Sequence, residues 1–361
     1  MNVPKLRFKE FNDEWTKEYA GNLCSIQTGK SNTQDKVDDG IYPFYVRSKI
    51  VEKSHKYIFD TEAVLTVGDG VGVGKVFHYI NGKFDCHQRV YMMNNFKNIT
   101  AKYFYYIFSR DFDKRVMKMT AKTSVDSVRY EMIDKMEIYY PTIKEQDKVA
   151  RTLELLDKKI ELQTKKIEDL KLFKKGLIYN EKRNNNSWNE YKISDIMNIT
   201  RGIVIPKTEI SECINNEFKY PVYSSQTSNN GILGYDSKYD FNGKFLTWTT
   251  DGANAGKVFY REGKFRCTNV CGILYNKDNR YVSELTAELL NIETPKYVSY
   301  VGNPKLMNNV MSNIIIKLPD PSRDYFFSSI LKIINKKLTI EEEKLDKLFE
   351  FKKGLMQNMF V

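Results

Sequence analysis

The chain has 361 residues, 41% of them hydrophobic, which is enough to bury a core and to divide into two or more domains. Its 57 Lys and Arg against 46 Asp and Glu give a net charge of +11, which favours a polyanionic partner such as nucleic acid, although a basic charge can also serve solubility alone. The sequence has no apolar run of the roughly 18 residues that a membrane span needs, and no signal-peptide core at its start. Five cysteines, an odd number, indicate reduced thiols, so we expect a cytoplasmic protein without membrane association.

Residues 1–140 have the pattern of an α+β domain. Two short runs, 63–67 and 75–80, are rich in strand-forming residues and are bounded by Gly and Asn, so they predict strands. Residues near 100–119 predict a helix. Strands and a helix in one segment of this length predict a single mixed domain.

A glycine-rich run at residues 68–75 lies between these two predicted strands. Its Gly-x-Gly spacing is reminiscent of a phosphate-binding loop, but it lacks the Ser or Thr after Lys75 that would hold magnesium, and its spacing differs from the Walker pattern. We interpret the run as a turn between strands. From such a turn, Lys75 could contact a DNA phosphate.

A long amphipathic helix is predicted next, with Thr142 and Glu145 in a capping-box pattern at its start. Apolar residues then recur at alternating steps of three and four, with a polar interruption. The central positions of this seam are Leu153, Leu156, Ile160, Gln163, Ile167 and Leu170. About 33 residues at 1.5 Å each make a rod of roughly 50 Å, so we favour a coiled coil over ordinary helix packing inside one domain.

Residues 181–318 repeat the pattern of the first domain loosely. The runs 244–248 and 257–260 predict strands, and residues 281–292 predict a helix. The segments that begin at Asp69 and Asp251 share an Asp-Gly followed by Gly-Lys-Val at the same spacing. We therefore infer a second α+β domain, in which Lys257 is a candidate phosphate contact like Lys75.

A second long helix repeats the first one 178 residues further along, so that Leu331 matches Leu153 without a gap. Asp320 is a good N-cap residue and Pro321 suits the first helical position. The matching seam positions are Leu331, Ile334, Leu338, Glu341, Leu345 and Leu348. The repeat predicts an antiparallel coiled coil of two helices related by a pseudo-twofold axis, with Gln163 and Glu341 facing one another as a polar layer that sets the register.

Residue patterns for catalysis or metal binding are missing from the sequence. The three histidines, His55, His78 and His87, all lie in the first half, which excludes a duplicated His-based site. Cys267 and Cys271 have no second Cys or His pair at zinc-like spacing. No methyltransferase or metal-dependent nuclease motif is found, so we expect a binding protein without catalytic residues.

The order of domain, helix, domain and helix resembles the specificity subunit of Type I restriction-modification enzymes, over nearly the whole chain. The resemblance is carried by residues near the start of the chain, at the start of the first helix and at the end of both helices. These are Leu6-Arg7-Phe8, Phe11, Trp15, Pro141, Glu145-Gln146, Val149, Leu153, Leu156-Asp157, Ile160, and the Phe-Lys-Lys-Gly-Leu sequences at 173–177 and 351–355. The second copy departs from the pattern, since Arg323-Asp324 replaces Glu145-Gln146, and the contacts of this pair need not be the same in both copies.

The resemblance implies target-recognition domains at residues 1–140 and 181–318, each reading one half of a split, asymmetric site in double-stranded DNA. It implies repeated spacer helices at residues 141–180 and 319–361, which would set the gap between the halves; a 50 Å rod bounds that gap at about 15 base pairs. No cofactor is expected on this chain. Two methyltransferase subunits that bind S-adenosylmethionine are expected to dock on it, and two restriction subunits that use ATP and magnesium can join them.

By analogy with this family, DNA contacts are expected in the loops that follow the first strands and in the segments before the long helices. These segments are residues 28–31, 47–49, 122–129, 200–202, 224–226 and 303–308. Arg47, Arg129 and Gln226 are candidates for reading base edges, and Lys30 suits a phosphate, as do Lys75 and Lys257. Arg201 is a further candidate contact. For each of them a solvent-exposed loop residue without a role is the alternative.

Two other classes of protein remain open from the sequence. A self-contained DNA-modifying enzyme would need a cofactor or metal site on this chain. A coiled-coil interaction scaffold would explain the helices, but it would explain neither the net charge of +11 nor the two unlike domains.

Overall fold

A computed structural model describes residues 3–70, 72–119, 127–184, 188–276 and 278–361. The chain forms two compact units: unit 1 is Met1–Thr164 with Glu343–Val361, and unit 2 is Lys165–Glu342. Each unit contains sheets, short helices and one end of each of two long helices. The predicted α+β class is confirmed, and so is the duplication, because the two units contain the same elements in the same order.

Unit 1 contains eight described strands, three described short helices and the first part of a long helix. Its strands are β1 (Thr16–Tyr19), β2 (Ser25–Thr28), β3 (Tyr42–Tyr45), β4 (Val51–Ser54), β5 (Phe59–Val67), β6 (Phe77–Cys86), β7 (Val90–Asn94) and β8 (Glu137–Tyr140). Its helices are α1 (Ala20–Leu23), α2 (Ala101–Met119), α3 (Tyr130–Asp134) and the start of α4 (Ile143–Asn184), with a 3-10 turn at Thr33–Asp35. The predicted strand at 63–67 is the second half of β5, and the predicted strand at 75–80 overlaps the first four residues of β6.

Six of these strands form one sheet in the order β2-β7-β5-β6-β3-β4, and β1 pairs with β8 in a separate two-stranded sheet. Alternate residues of β5 face opposite sides of the six-stranded sheet, as a strand requires. Val64 packs on one side in the main core with α2 and the start of α4, whereas Ala63 and Leu65 pack on the other side. Both faces of the sheet are therefore buried.

Unit 2 repeats this plan. Its strands are β9 (Asn189–Lys192), β10 (Asn198–Arg201), β11 (Tyr220–Tyr223), β12 (Ile232–Asp236), β13 (Phe241–Thr249), β14 (Val258–Cys267), β15 (Cys271–Tyr275) and β16 (Ile315–Leu318). Its helices are α5 (Ile193–Ile196), α6 (Glu284–Glu293), α7 (Asn308–Ser312) and the start of α8 (Pro321–Asn358), with 3-10 turns at Lys207–Glu209, Ser228–Gly231 and Thr294–Tyr297. The six-stranded order β10-β15-β13-β14-β11-β12 matches unit 1 strand for strand, and β9 pairs with β16.

The two long helices run in opposite directions within each unit. In unit 2, Lys166 pairs with Glu341 at 2.9 Å, whereas Glu181, further along α4, pairs with Arg323, which is earlier in α8. In unit 1, Lys352 near the end of α8 pairs with Asp157 near the start of α4. The helices have 42 and 38 residues, longer than the predicted 33, so α4 measures about 63 Å at 1.5 Å per residue.

The predicted seam positions of both long helices are shielded from solvent. Leu153, Leu156, Ile160, Ile167, Leu331, Ile334, Leu338 and Glu341 are buried, and Gln163, Leu170, Leu345 and Leu348 are half-buried. The carboxylate of Glu341 is paired with Lys166. The polar layer between Gln163 and Glu341 stays a prediction.

An ion pair occurs at the same place in both copies, but with its charges exchanged. In unit 1, Arg7 donates two hydrogen bonds of 2.8 Å to Glu145, which is buried. In unit 2, Arg323 stands at the position equivalent to Glu145 and donates two bonds of 2.6 and 2.8 Å to the buried Glu181. Each pair joins the start of a long helix to a residue that precedes the first strand of the same unit. The asymmetry expected for this pair is therefore a reversal of charge.

The neighbouring position differs as well. Gln146 is buried and joins three backbone groups: it accepts from the N–H of Thr100 and donates to the carbonyls of Asn98 and Pro141. Its counterpart Asp324 accepts a hydrogen bond of 2.8 Å from Ser283, the N-cap of α6. Burial raises the pKa of the Asp324 carboxyl to about 6. A buried acid thus replaces a neutral amide.

Reversing one charge of the unit 2 pair should destabilise it, and reversing both should restore it. Arg323→Glu places two carboxylates together and should lower the free energy of unfolding, because Glu181 is buried and loses its partner. Glu181→Arg combined with Arg323→Glu recreates the charge order of unit 1 and should recover most of the loss. Urea denaturation measures both, with Lys336→Glu, an exposed position of the same helix, as control. A double variant no more stable than Arg323→Glu would contradict the pairing.

Replacing Asp324 by Asn should stabilise the protein above pH 6. Because the folded-state pKa of about 6 lies above the ordinary value of 3.8, stability contributed by the protonated acid is lost as pH rises from about 4 to 6. Asp324→Asn should therefore gain up to about 3 kcal/mol at pH 7.5 and little at pH 4. Thermal unfolding at several pH values measures this difference.

Asp320→Asn provides a control of opposite sign. Hydrogen bonds from Ser322 and Arg323 lower the pKa of Asp320, so its stabilising contribution is present above the ordinary pKa and is lost as pH falls. This variant should be destabilised at neutral pH and less so in acid. Equal effects of the two substitutions at all pH values would contradict the assignment.

Candidate nucleic-acid interface

In unit 1, the short turn between β6 and β7, residues 87–89, is the point at which several loops meet. The N–H of His87 donates to the Tyr45 carbonyl at the end of β3 at 2.9 Å, and the N–H of Gln88 donates to the Ser31 carbonyl at 2.8 Å. The N–H of Gly68, just after β5, donates to the Arg89 carbonyl at 2.8 Å. The loops after β2, β3 and β5 are therefore fixed against one turn by backbone hydrogen bonds.

A carboxylate with two arginines lies on this turn. Asp69 accepts a hydrogen bond from Arg47 Nη1 at 3.2 Å through one oxygen and from Arg89 Nη1 at 3.0 Å through the other. The Asp69 side chain is 15% exposed, whereas those of Arg47 and Arg89 are 48% and 61% exposed. The carboxylate thus forms the floor of the group, and the two guanidinium groups reach into solvent above it.

An open cleft adjoins this cluster. It is lined by Thr28, Gly68, Asp69, Gln88, Arg89, Tyr91, Ser127 and Val128. The N–H of Val128 donates to the Gly68 carbonyl at 2.7 Å, so the segment that leads into α3 closes one side of it. Arg129, the next residue, is exposed, and so is Lys30 on the loop after β2. Of the predicted segment 122–129, residues 122–126 lie outside the described residues.

His87 stabilises the turn from inside. Its ring is buried, and Nδ1 accepts the backbone N–H of Arg89 at 3.0 Å. Burial lowers the pKa of His87, and the positive charge of Arg47 lowers it further. The imidazole is therefore kept in the neutral form that can accept this hydrogen bond, which holds the backbone of Arg89.

The close packing of the loops requires a glycine after the first strand of each sheet. A Cβ added to Gly29 would lie 2.1 Å from the Cys86 carbonyl oxygen, and one added to Gly202 would lie 2.3 Å from the Cys267 carbonyl oxygen. Neither backbone carbonyl can move without breaking its own hydrogen bond, to Lys30 in unit 1 and to Ile203 in unit 2. The two units therefore share the same backbone frame at this point.

The turn at 268–270 in unit 2 repeats the hydrogen bonds of the turn at 87–89. The N–H of Thr268 donates to the Tyr223 carbonyl at 2.9 Å, as His87 does to Tyr45. The N–H of Thr250 donates to the Val270 carbonyl at 3.1 Å, as Gly68 does to Arg89. Val270 therefore stands where unit 1 has Arg89.

The residue of unit 2 that is equivalent to Asp69 is Asp251, but different side chains surround it. Thr250 Oγ1 donates to it at 2.9 Å, and Lys305 Nζ lies 3.8 Å from its other oxygen. Arg201, at the end of β10, reaches the Sδ of Met307 with Nη2 at 3.7 Å. Its Nε is buried without a hydrogen-bond partner among the residues that the structure describes. The predicted segment 303–308 thus contacts Asp251 through Lys305 and Arg201 through Met307.

Gln226 lies in the longer loop between β11 and β12, and its amide nitrogen donates to the carbonyl of Ile232, the first residue of β12. Beneath the loop is Arg261, which is 3% exposed and stacks between Tyr223 and Phe259 with its guanidinium carbon 3.7 and 4.4 Å from the ring centres. Burial lowers the pKa of Arg261. The loop is therefore closed by its own contacts, and base reading by Gln226 stays a prediction.

Lys75 and Lys257 lie on the turns that the sequence predicted at the glycine-rich runs. Gly70 and Gly74 have φ of +79° and +70°, and Gly252 and Gly256 have φ of +94° and +86°, so the interpretation as turns is confirmed. Both lysines are exposed. Although Lys257 reaches solvent, desolvation by the surrounding protein lowers its pKa, and the nearby carboxylate of Glu288 in α6 opposes this effect only in part. Phosphate contact by either lysine stays a prediction.

The structure brings some predicted residues together and adds others. Arg47 and Arg129 lie around the cleft of unit 1, and Arg201 contacts Met307 of the segment 303–308 in unit 2. Arg89 and Lys305 were not singled out individually as contacts from the sequence. A signal for Arg89 was present, because the match between the copies extends to Cys86 and Cys267, which directly precede the two turns.

The described part of the chain contains neither a metal-ligand cluster nor a helix that could span a membrane. Over residues 3–70, 72–119, 127–184, 188–276 and 278–361, no group of His, Cys, Asp and Glu could hold a metal ion. In the same residues no helix combines the length and apolarity needed to cross a bilayer.

Comparison with known proteins gives the family. Residues 12–172 and 185–350 each match the family described as the Type I restriction modification DNA specificity domain. A relative from Mycoplasma pneumoniae, named as the N-terminus of a type I specificity subunit, is 47% identical over 125 residues, which are 34% of this chain and 65% of the relative. A second specificity subunit from that organism is 39% identical over 172 residues, 46% of each chain. The chain thus spans less than two thirds of the length of both relatives.

A solved structure shows the same fold. The crystal structure of the S subunit of a Type I restriction-modification system from M. genitalium aligns with 99% of both chains at a TM-score of 0.76 and 17% identity. The two family matches cover most of the sequence. The chain therefore belongs to the Type I restriction-modification specificity subunits, as the resemblance indicated.

Proposed function

We propose that this chain is the non-catalytic part of a Type I enzyme that selects its DNA sequence. Residues 1–140 and 181–318 each read one half of a bipartite, asymmetric site, and the helices at 141–180 and 319–361 set the distance between the halves. Two methyltransferase subunits, which bring S-adenosylmethionine, dock on the helices, and two restriction subunits that use ATP and magnesium can join them. The protein works on DNA in the cytoplasm.

The observation that carries this proposal is the arrangement of loops that both units share. Both arrangements are built on the same backbone hydrogen bonds around the turns at 87–89 and 268–270, and both contain an aspartate, Asp69 or Asp251. The side chains around the aspartate differ, with two arginines in one and a lysine in the other. A common frame with different polar side chains suits the reading of two different sequences.

The charge and the helices support the same proposal. A net charge of +11 favours binding to the phosphate backbone, which supplies sequence-independent affinity. Helices of 42 and 38 residues are stiff enough to act as a spacer, and 63 Å bounds the spacing at about 18 base pairs.

A duplicated apolar stripe on the outside of the long helices supports docking of two copies of one partner. Leu155, Leu162 and Phe173 of α4 are exposed, and so are the residues 178 further along the chain, Ile333, Ile340 and Phe351 of α8. Exposed apolar side chains in a repeated pattern are typical of interaction surfaces. Because the stripe occurs twice, a single kind of methyltransferase subunit could bind each copy in the same way.

Mapping of methylated adenines tests the function. In cells that express this chain with its methyltransferase partner, methylation should occur at a motif of two unlike halves separated by a fixed number of unread bases. Deleting one heptad from the middle of each helix removes about 10 Å and should shorten the unread gap by up to about 3 base pairs while both halves stay the same. A contiguous motif, or a gap that does not change, would count against the proposal.

Substitutions in the apolar stripe test the docking. Leu162→Gln should weaken the binding of one methyltransferase subunit about 10- to 100-fold, because burial of one leucine is worth about 1.5 to 3 kcal/mol. Ile340→Gln should do the same for the other subunit, and the double variant should lose both. Mass photometry of the purified complex measures the number of bound subunits.

Lys158→Gln and Lys336→Gln are matched controls, since both residues are exposed on the same helices and are also related by the repeat. Circular dichroism confirms that each variant keeps its helices. Two bound subunits in the double variant would contradict the role of the stripe.

A further inference from the structure

We propose that Asp69 is a positioning residue that holds Arg47 and Arg89 as a pair of guanine readers, and that unit 1 therefore recognises guanine in its half of the DNA site. The inference rests on the proposed function and adds to it the identity of a base and of the residues that read it. It assigns no such pair to unit 2.

The geometry leaves both arginines free to bind a base. Each guanidinium carries five N–H donors in a fixed plane, and the hydrogen bond to Asp69 involves Nη1 in both, at 3.2 Å for Arg47 and 3.0 Å for Arg89. The described contacts leave Nη2 and Nε of both residues available, and both side chains are about half exposed. An arginine oriented in this way can donate two parallel hydrogen bonds to O6 and N7 of guanine in the major groove.

The carboxylate argues against a simple phosphate contact. A negative charge at the floor of a DNA-binding cleft reduces attraction for phosphate, so it lowers affinity for every sequence alike. The same charge fixes the direction of two flexible side chains, which reduces the conformational entropy lost on binding and penalises a base that offers no acceptor to them. The arrangement therefore favours discrimination over affinity.

The surrounding backbone holds both partners in place. Asp69 forms a β-bridge with Ser127, and the preceding Gly68 is hydrogen-bonded on both sides, to Arg89 and to Val128. The N–H of Arg89 is held by the buried ring of His87. The carboxylate and one of the two arginines thus project from fixed backbone, which a precise contact requires.

Unit 2 lacks the pair although it keeps the frame. Its aspartate, Asp251, lies in the equivalent place and is approached by Thr250 and Lys305. Val270 stands in place of Arg89, and Ser225 follows β11 where Arg47 follows β3. A single lysine at 3.8 Å cannot make the planar two-bond contact of an arginine. Guanine discrimination of this kind is therefore assigned to one half-site only.

The experiment uses the complex of the full chain with its methyltransferase partner and duplexes in which each base pair of the mapped site is replaced in turn. The wild-type complex should lose about 10- to 100-fold in affinity when a guanine of one half-site is replaced. Asp69→Asn should reduce this discrimination to within a few-fold and should leave affinity for unrelated DNA equal or higher. Arg89→Lys keeps the charge but not the planar fork, and it should lose discrimination at the same positions.

Glu52→Gln is the control, since Glu52 belongs to an exposed ion pair with Lys36 outside the cleft and should leave the profile unchanged. Asp69→Asn with wild-type discrimination, or with equal weakening on all DNA, would overturn the inference. The inference would also be overturned if Asp69→Asn and Arg89→Lys lost discrimination at different base pairs. A wild-type complex without any sequence discrimination would instead overturn the proposed function. Thermal unfolding checks that Asp69→Asn is folded; if it is not, the same outcomes are read from Arg89→Lys.

Discussion

The structure depends on the need of each long helix to cover its apolar stripe. An amphipathic helix of about 40 residues is not stable alone in water, because most helical stability in proteins comes from packing of the apolar face. Each compact unit meets this need with chain segments that are far apart in sequence. Unit 1 combines the start of α4 with the end of α8, where Met359 and Phe360 are buried in its core with Tyr103 and Leu153. Unit 2 combines the end of α4 with the start of α8.

This arrangement explains why the two copies have diverged unevenly. The seam residues and the backbone frame around Gly29 and Gly202 are fixed by packing, because a Cβ at either glycine would collide with backbone atoms. The ion pair at the start of each helix keeps its geometry while its charges are exchanged, as Arg7 with Glu145 and Glu181 with Arg323. A buried carboxylate requires a partner, but the partner can come from either side, so the pair can reverse while the fold is kept.

The sequence predicted the parts of the structure that repeat with a local period. The heptad seam, the turns at Gly70 and Gly252 and the strands around them follow from spacing within a few residues. It did not predict the cluster of Arg47, Asp69 and Arg89, because these residues are brought together by strand pairing across as many as 42 positions. It also underestimated the length of α4, since the helix continues beyond the repeated sequence to Asn184.

The same contrast between local sequence patterns and contacts made by the fold applies to the candidate site. Polar residues of several loops that follow strand ends do lie together in the structure, but the use of each side chain depends on its neighbours. Gln226 looks like a base reader in sequence, yet its amide closes its own loop. Asp69 looks like an ordinary turn residue, yet its carboxylate joins two arginines. If the chain binds DNA as proposed, its net charge of +11 supplies affinity through many cations, so one acidic residue at the cleft would cost little binding and could add selectivity.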